Sequence, residues 1–66
     1  MNWNQIQGDW RQFTSHAREK WNRLAESDFT QIAGNRDRLV DRIQETYGIA
    51  KEDAEQQVRE FEKSLH

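Results

Sequence analysis

Residues 3–24 of the chain read WNQIQGDWRQFTSHAREKWNRL, and this stretch decides the fold. Its large apolar side chains recur at alternating steps of three and four residues, which places them on one face of an α-helix. That face consists of Trp3, Ile6, Trp10, Phe13, Ala17, Trp21 and Leu24. All three tryptophans of the protein belong to it, and a tryptophan buries about 200 Å² when it packs. The pattern predicts a long first helix that forms the spine of the hydrophobic core.

The beginning of this helix has two interpretations. An Asn-x-x-Gln capping box at residues 2–5 favours a helix start there. Gly8 weakens a helix by about 1 kcal/mol relative to alanine, and Asp9 is a candidate N-cap for a helix that runs from there to about Ala25. Residues 1–8 are therefore either continuous with the main helix or a less ordered lead-in.

Three further helices are expected after residue 25. Ser27 is the expected N-cap of a short second helix that ends at Gly34, because glycine suits the left-handed conformation at a helix end. Asn35 is the expected N-cap of the third helix, which ends at Gly48. Ala50 is the expected N-cap of the last one. The prediction is an all-α fold, a compact bundle of four helices of which one is long, one short and two of medium length.

The length and composition restrict the class of protein. Sixty-six residues make a single domain, here residues 1–66, with a small core. The chain has no cysteine, so neither a disulfide nor a thiolate metal site is available to it. No window approaches the roughly 20 apolar residues of a transmembrane helix, and no basic leader precedes an apolar run. We expect a soluble cytoplasmic protein.

No set of residues has the spacing of a catalytic or metal site. Ser15 and His16 are adjacent, so on a helix their side chains diverge by about 100° and do not form a nucleophile and base pair. Two isolated histidines without cysteine lack the ligand spacing of a zinc site. Glu52 and Asp53 match the negative charge favoured at a helix N-terminus. We therefore expect no enzymatic activity, no metal and no cofactor.

Two kinds of partner are considered, and a protein is favoured over nucleic acid. Trp3 and Ile6, at the end of the apolar face, would form a surface for a partner protein or for self-association if they were exposed. Arginines of the first and third helices would form a nucleic-acid patch if these helices were adjacent. Those arginines are Arg11, Arg18, Arg36, Arg38 and Arg42. Interspersed acids and a net charge of −2 argue against phosphate binding, and a monomer is slightly favoured.

Several short motifs, in this order, resemble the CsbD-like family of small bacterial stress-response proteins. They are Trp10-Arg11-Gln12-Phe13, Lys20-Trp21 with Leu24, the segment IAGNRDRLV at residues 32–40, Ile43-Gln44 with Tyr47-Gly48, and Ala54-Glu55. The resemblance covers roughly residues 8 to 62. It implies a bundle of four or five helices, similar to two helical hairpins packed roughly orthogonally, and stress induction in the cytoplasm. It brings no active site with it.

These observations lead to one expected function and one alternative. The expected function is that of a non-catalytic cytoplasmic stress-response protein that acts by binding or by its abundance. The alternative is a small nucleic-acid-associated protein that uses the arginines of the first and third helices.

Overall fold

The regular secondary structure is entirely helical in the computed structural model, which describes residues 2–65. Its Cα radius of gyration is 10.6 Å, and its principal extents are 27 × 23 × 18 Å. Five helices follow one another, and no strand occurs among the described residues. They are α1 (Trp3–Gly8), α2 (Trp10–Lys20), α3 (Glu26–Ile32), α4 (Arg36–Tyr47) and α5 (Lys51–Ser64). The all-α prediction is confirmed for this part of the chain, whereas Met1 and His66, the ends of the expected domain, lie outside it.

The long first helix predicted from the apolar face is divided into two, and the second part is shorter than expected. Asp9 ends α1 and precedes α2 with φ −114° and ψ 35°, and its side chain makes no capping hydrogen bond. Helix α2 ends at Lys20 instead of Ala25, because Trp21 leaves the helical conformation. This departure brings the Trp21 indole to α5, where Nε1–H donates to Gln57 Oε1 at 2.8 Å. The longest helix is α5, with 14 residues.

The expected helix caps at Asn2, Asn35 and Ala50 are present, whereas the one expected at Ser27 is not. The capping box at the start of α1 is present, with Gln5 N–H donating to Asn2 Oδ1 at 3.0 Å. Asn35 caps α4 by accepting from the backbone N–H of Arg38 at 3.2 Å. The expected Ser27 cap of α3 is wrong, because α3 begins two residues earlier with Ala25 as its N-cap. Asp28 makes this start favourable, since its carboxylate accepts the Ala25 N–H at 2.9 Å.

Helix α1 packs against the turn between α3 and α4. Ala33 and Gly34 both have positive φ, 51° and 80°, so the turn uses a left-handed alanine in front of the expected glycine. The carbonyl of Gly34 accepts the Trp3 indole N–H at 2.9 Å. A Cβ at Gly34 would lie 3.0 Å from Cγ and 3.1 Å from Cα of Gln7. Glycine is therefore required here for the close approach of α1 as well as for its φ.

The core contains most of the apolar face that the sequence predicts. Its buried members from the first two helices and the following turn are Ile6, Trp10, Phe13, Ala17, Trp21 and Leu24, while Trp3 is half-buried against them. Helices α3, α4 and α5 contribute the remainder of one continuous cluster. Trp21 is 1% exposed and its ring centroid lies 5.1 Å from that of Phe61. The tryptophan row is thus the spine onto which the other helices pack.

Replacing Gly34 by alanine should lower the free energy of unfolding more than the same change at Gly48. Both glycines have positive φ, which costs an alanine about 1–2 kcal/mol. Only at Gly34 does the added Cβ also meet Gln7, whereas nothing lies within 4 Å of a Cβ at Gly48. We expect Gly34→Ala to cost about 1–2 kcal/mol more than Gly48→Ala in urea denaturation. Equal losses would show that α1 does not pack against this turn.

Removing the indole of Trp21 should unfold much of the domain. Trp21→Ala deletes a buried aromatic side chain, a change that costs about 3–5 kcal/mol, and small domains have little stability to lose. Trp21→Phe is the matched control, because it keeps a ring against Phe61 and loses the hydrogen bond to Gln57. Thermal melting followed by circular dichroism should show a much larger loss for alanine than for phenylalanine. An unchanged melting temperature for Trp21→Ala would contradict the role of the tryptophan row as the spine of the core.

Candidate functional site

Four of the five arginines singled out from the sequence lie along two different sides of α3. Arg11 and Arg18 of α2 line a groove whose opposite wall includes Glu26 and Thr30 of α3. Glu26, Thr30 and Ala33 follow one another at steps of four and three residues, so they share one side of that helix. Arg42 of α4 instead contacts Asp28 and Gln31, which point about 140–200° away on the helical wheel. Helix α3 therefore separates the two sets of arginines.

The groove between α2 and α3 has a volume of about 510 Å³. Its lining residues are Trp10, Arg11, Thr14 and Arg18 of α2, together with Glu26, Phe29, Thr30 and Ala33 at α3. Trp10 holds the two helices side by side, because its indole N–H donates to the carbonyl of Phe29 at 2.9 Å. The Trp10 and Phe29 ring centroids are 6.4 Å apart. The floor of the groove is thus a fixed aromatic contact.

Arg11 and Arg18 carry charges that the described part of the chain leaves without a carboxylate partner. The two ion pairs there are Lys20 with Glu60, at 3.9 Å, and Arg42 with Asp28, at 3.0 Å. Glu26 shares the groove with both arginines and is not within ion-pairing distance of either. Each guanidinium offers five N–H donors. The groove can therefore accept a carboxylate or a phosphate group from outside.

The spacing of the two arginines defines how far apart such groups must be. Arg11 and Arg18 are seven residues apart, which is almost two turns, so both lie on the same face of α2. The rise between them is about 10.5 Å along the helix axis. Thr14 lies between them in the groove and uses its hydroxyl hydrogen on the backbone carbonyl of Arg11, at 2.8 Å. Between Arg11 and Arg18, α2 contributes no further charged side chain to the groove.

The arginines of α4 are placed differently. Arg42 donates from Nη1 to Asp28 Oδ1 and from Nη2 to Gln31 Oε1, both at 3.0 Å. Arg38 donates from Nη1 to the carbonyl of Gln31 at 3.3 Å. These bonds join α4 to α3. Arg36 is half-buried and lines a shallow depression between α4 and α5 with acidic neighbours that include Glu55.

Trp3 and Ile6 were predicted as partner contacts on condition that they are exposed. Ile6 is 0% exposed, because α1 packs onto the turn at Gly34 and places this side chain in the core. Trp3 is half-buried, donates its indole N–H to Gly34, and packs its ring 6.2 Å from that of Trp10. An exposed apolar patch made by both residues is therefore absent from the described surface.

The α3 wall of the groove is not apparent from the sequence. Thr14, Glu26, Thr30 and Ala33 were not singled out, although the last three repeat at helical spacing. Such spacing shows that residues share a face, but it does not show which helix that face meets. The pairing of the two walls depends on the hydrogen bond from Trp10 to Phe29, a tertiary contact between residues 19 positions apart.

The structure also locates the residues weighed for catalysis and metal binding. Ser15 donates to the backbone carbonyl of Gln12 at 3.3 Å, and His16 is exposed with its ring 6.4 Å from that of Phe13. Within residues 2–65, no three histidine or acidic side chains are grouped so that they could hold a metal ion. In the same range, no helix has the length and apolar character needed to cross a bilayer.

Comparison with known proteins gives the chain its family. It is 50% identical over 62 residues to a UPF0337 protein of Pectobacterium atrosepticum, covering 94% of this chain and 90% of the relative. It is 44% identical over 62 residues to the UPF0337 protein YjbJ of Escherichia coli K12, with the same coverage. A UPF0337 protein of Protochlamydia amoebophila is 37% identical over 62 residues, covering 94% of each chain.

No family model matches the chain, and neither does any solved structure. These three relatives are bacterial, are aligned over nearly their whole length, and carry one family name. Identity of 37–50% over 94% of the chain is far above what unrelated helical proteins share. The chain therefore belongs to the UPF0337 family.

Proposed function

We propose that this chain is a non-catalytic stress-response protein of the bacterial cytoplasm that acts by binding a partner in the groove between α2 and α3. The observation that carries the proposal is the pair Arg11 and Arg18, which face one groove without a carboxylate partner in the described chain. The resemblance to the CsbD-like family supports the role in stress and the cytoplasmic location. Of the seven candidate contacts, Arg11 and Arg18 are the ones retained for this function.

The charges of these two arginines contribute little to the stability of the fold. Two like charges on one helix face repel each other weakly, and exposed ion pairs are worth about 0–1 kcal/mol even when they form. Arg42, in contrast, is fixed by Asp28 and Gln31 and joins two helices. Arginine is enriched at the energetically dominant positions of protein interfaces. Arg11 and Arg18 are therefore better explained by recognition than by folding.

Binding and abundance make different demands on the surface. A protein that acts through its abundance tolerates changes of exposed side chains as long as it folds. A protein that acts by binding loses its function when the groove loses its charges. The bound form is proposed to be a monomer.

Nucleic-acid association is the second candidate function, and the same groove supports it. Arg11 and Arg18 line this groove together with Trp10, and basic side chains beside aromatic ones are typical of nucleic-acid binding. Glu26 in the groove and the net charge of −2 oppose it. Binding of nucleic acid would weaken steeply as salt is raised.

A genetic test separates binding from abundance. In a bacterial strain that lacks the gene, the double variant Arg11→Gln, Arg18→Gln should fail to restore survival after heat, acid, ethanol and osmotic stress. The matched control is Arg59→Gln, Lys63→Gln, which removes the same charge from exposed positions on α5. The control should restore survival, and both proteins should accumulate to equal levels, because all four side chains are exposed.

Full rescue by the groove variant would contradict binding through the groove and favour abundance. Absence of any survival defect in the strain without the gene would contradict the role in stress.

A further inference from the structure

We infer that the groove between α2 and α3 takes a helical segment of an acidic partner protein, one that presents two carboxylates seven residues apart with an apolar side chain between them. The inference rests on the proposed function, because it names the ligand of the same groove. It follows from the spacing of the arginines, from the neutral middle of the groove, and from the position of Glu26.

The spacing of the arginines matches that of two carboxylates on a helix. Arg11 and Arg18 are about 10.5 Å apart along α2. A partner helix that lies along α2 and carries Asp or Glu at two positions seven residues apart has the same rise and presents both groups on one face. Each guanidinium can then form a bidentate hydrogen-bonded pair with one carboxylate. An extended segment can also reach both arginines, but its side chains do not form the single ridge that one face of a helix presents to a groove.

The middle of the groove suits an apolar side chain. Thr14 and Thr30 donate their hydroxyl hydrogens to the backbone carbonyls of Arg11 and Glu26, at 2.8 Å and 3.2 Å. The Trp10 indole N–H is likewise used, by the carbonyl of Phe29. None of these three donors is free for a ligand. A leucine-sized side chain three or four residues after the first carboxylate would contact this floor, as in other complexes where a helix binds a groove.

Glu26 favours a protein over nucleic acid as the occupant. A nucleic-acid strand carries a phosphate about every 3.4 Å of helix axis, so a strand long enough to reach both arginines brings further negative charge into a groove that already contains the Glu26 carboxylate. A helical peptide carries charge only where its sequence places it. Two discrete carboxylates can pair with the arginines and leave Glu26 opposite neutral residues.

The acidic residues of the chain itself do not meet this description. Helix α5 has two acidic pairs with the spacing of seven, Glu55 with Glu62 and Asp53 with Glu60. Between the first pair lies Val58, which is 0% exposed and so not available to a groove. Between the second pair, the positions three and four residues on are glutamines. The occupant is therefore a different protein and not a second copy.

The experiment uses a blocked helix-forming peptide of about 15 residues, long enough to be partly helical alone. It carries two Glu seven residues apart, with Leu three and four residues after the first. Binding to the full chain is measured by isothermal titration and by amide and arginine Nε–H shifts in NMR spectra. Control peptides replace both Glu by Gln, or place the two Glu on opposite faces of the helix.

We expect saturable binding of the first peptide, with shifts at Arg11, Thr14, Arg18 and Thr30. The variant Arg11→Gln, Arg18→Gln and either control peptide should raise the dissociation constant by about tenfold or more, since charge-assisted pairs are lost. The variant Arg59→Gln, Lys63→Gln should change it by less than about twofold. Unchanged thermal melts of both variants would show that folding is not the cause.

Three results would overturn the inference. They are no saturable binding of the first peptide, equal binding of the peptide without carboxylates, and equal losses in the groove variant and the α5 variant. Tighter binding of a short oligo-thymidylate, abolished by the groove variant, would assign the groove to nucleic acid instead. If one of these results were obtained and the groove variant still failed in the survival test, the proposed function would be retained and only this ligand would be rejected.

Discussion

An indole N–H that packs wholly or partly out of water needs an acceptor, and this requirement organises the molecule at three places. The Trp3 N–H donates to the carbonyl of Gly34, that of Trp10 to the carbonyl of Phe29, and that of Trp21 to Gln57, all at 2.8–2.9 Å. Leaving such a group buried without a partner costs about 1–3 kcal/mol. Hydrophobic burial alone has no direction, but these three bonds do. They fix α1 on the turn before α4, α2 beside α3, and the residue that follows α2 against α5.

The bond from Trp10 links the fold to the proposed function. Because it holds the backbone of Phe29 against α2, the polar sides of α2 and α3 are left facing each other across a groove. Arg11, Thr14 and Arg18 occupy one wall because they lie three and four residues apart, next to the buried face of the same helix. The core and the groove thus use adjacent faces of α2, and a change that loosens Trp10 would alter both.

The sequence predicts the local structure well and the tertiary structure less so. The apolar face, the capping box at residues 2–5, the Asn35 cap and the stop at Gly48 all depend on neighbours in sequence, and the structure contains them. The end of α2 at Lys20 depends on the contact of Trp21 with Gln57 of α5, a residue 36 positions further along the chain. The start of α3 depends on which side chain, that of Ser27 or that of Asp28, accepts a backbone N–H at the N-terminus of the helix. The roughly orthogonal packing of two hairpins stays a prediction.

The same distinction applies to the site. The sequence identifies Arg11 and Arg18 by their charge, whereas the α3 wall and the burial of Ile6 depend on which helices meet. Nothing in one sequence states that α3 lies between the arginines of α2 and those of α4. Membership of the UPF0337 family is shown by the relatives, while the CsbD-like resemblance and the stress role remain proposals.

Hydrogen exchange of the three indole N–H groups tests the central claim most directly. Uniformly ¹⁵N-labelled protein is transferred to D₂O, and the three signals, assigned by single Trp→Phe variants, are followed by NMR. The account predicts that all three exchange more slowly than free tryptophan, with Trp10 the slowest because its hydrogen bond is the buried one. Exchange of the Trp10 indole at the rate of free tryptophan, while backbone amides of α2 stay protected, would contradict it.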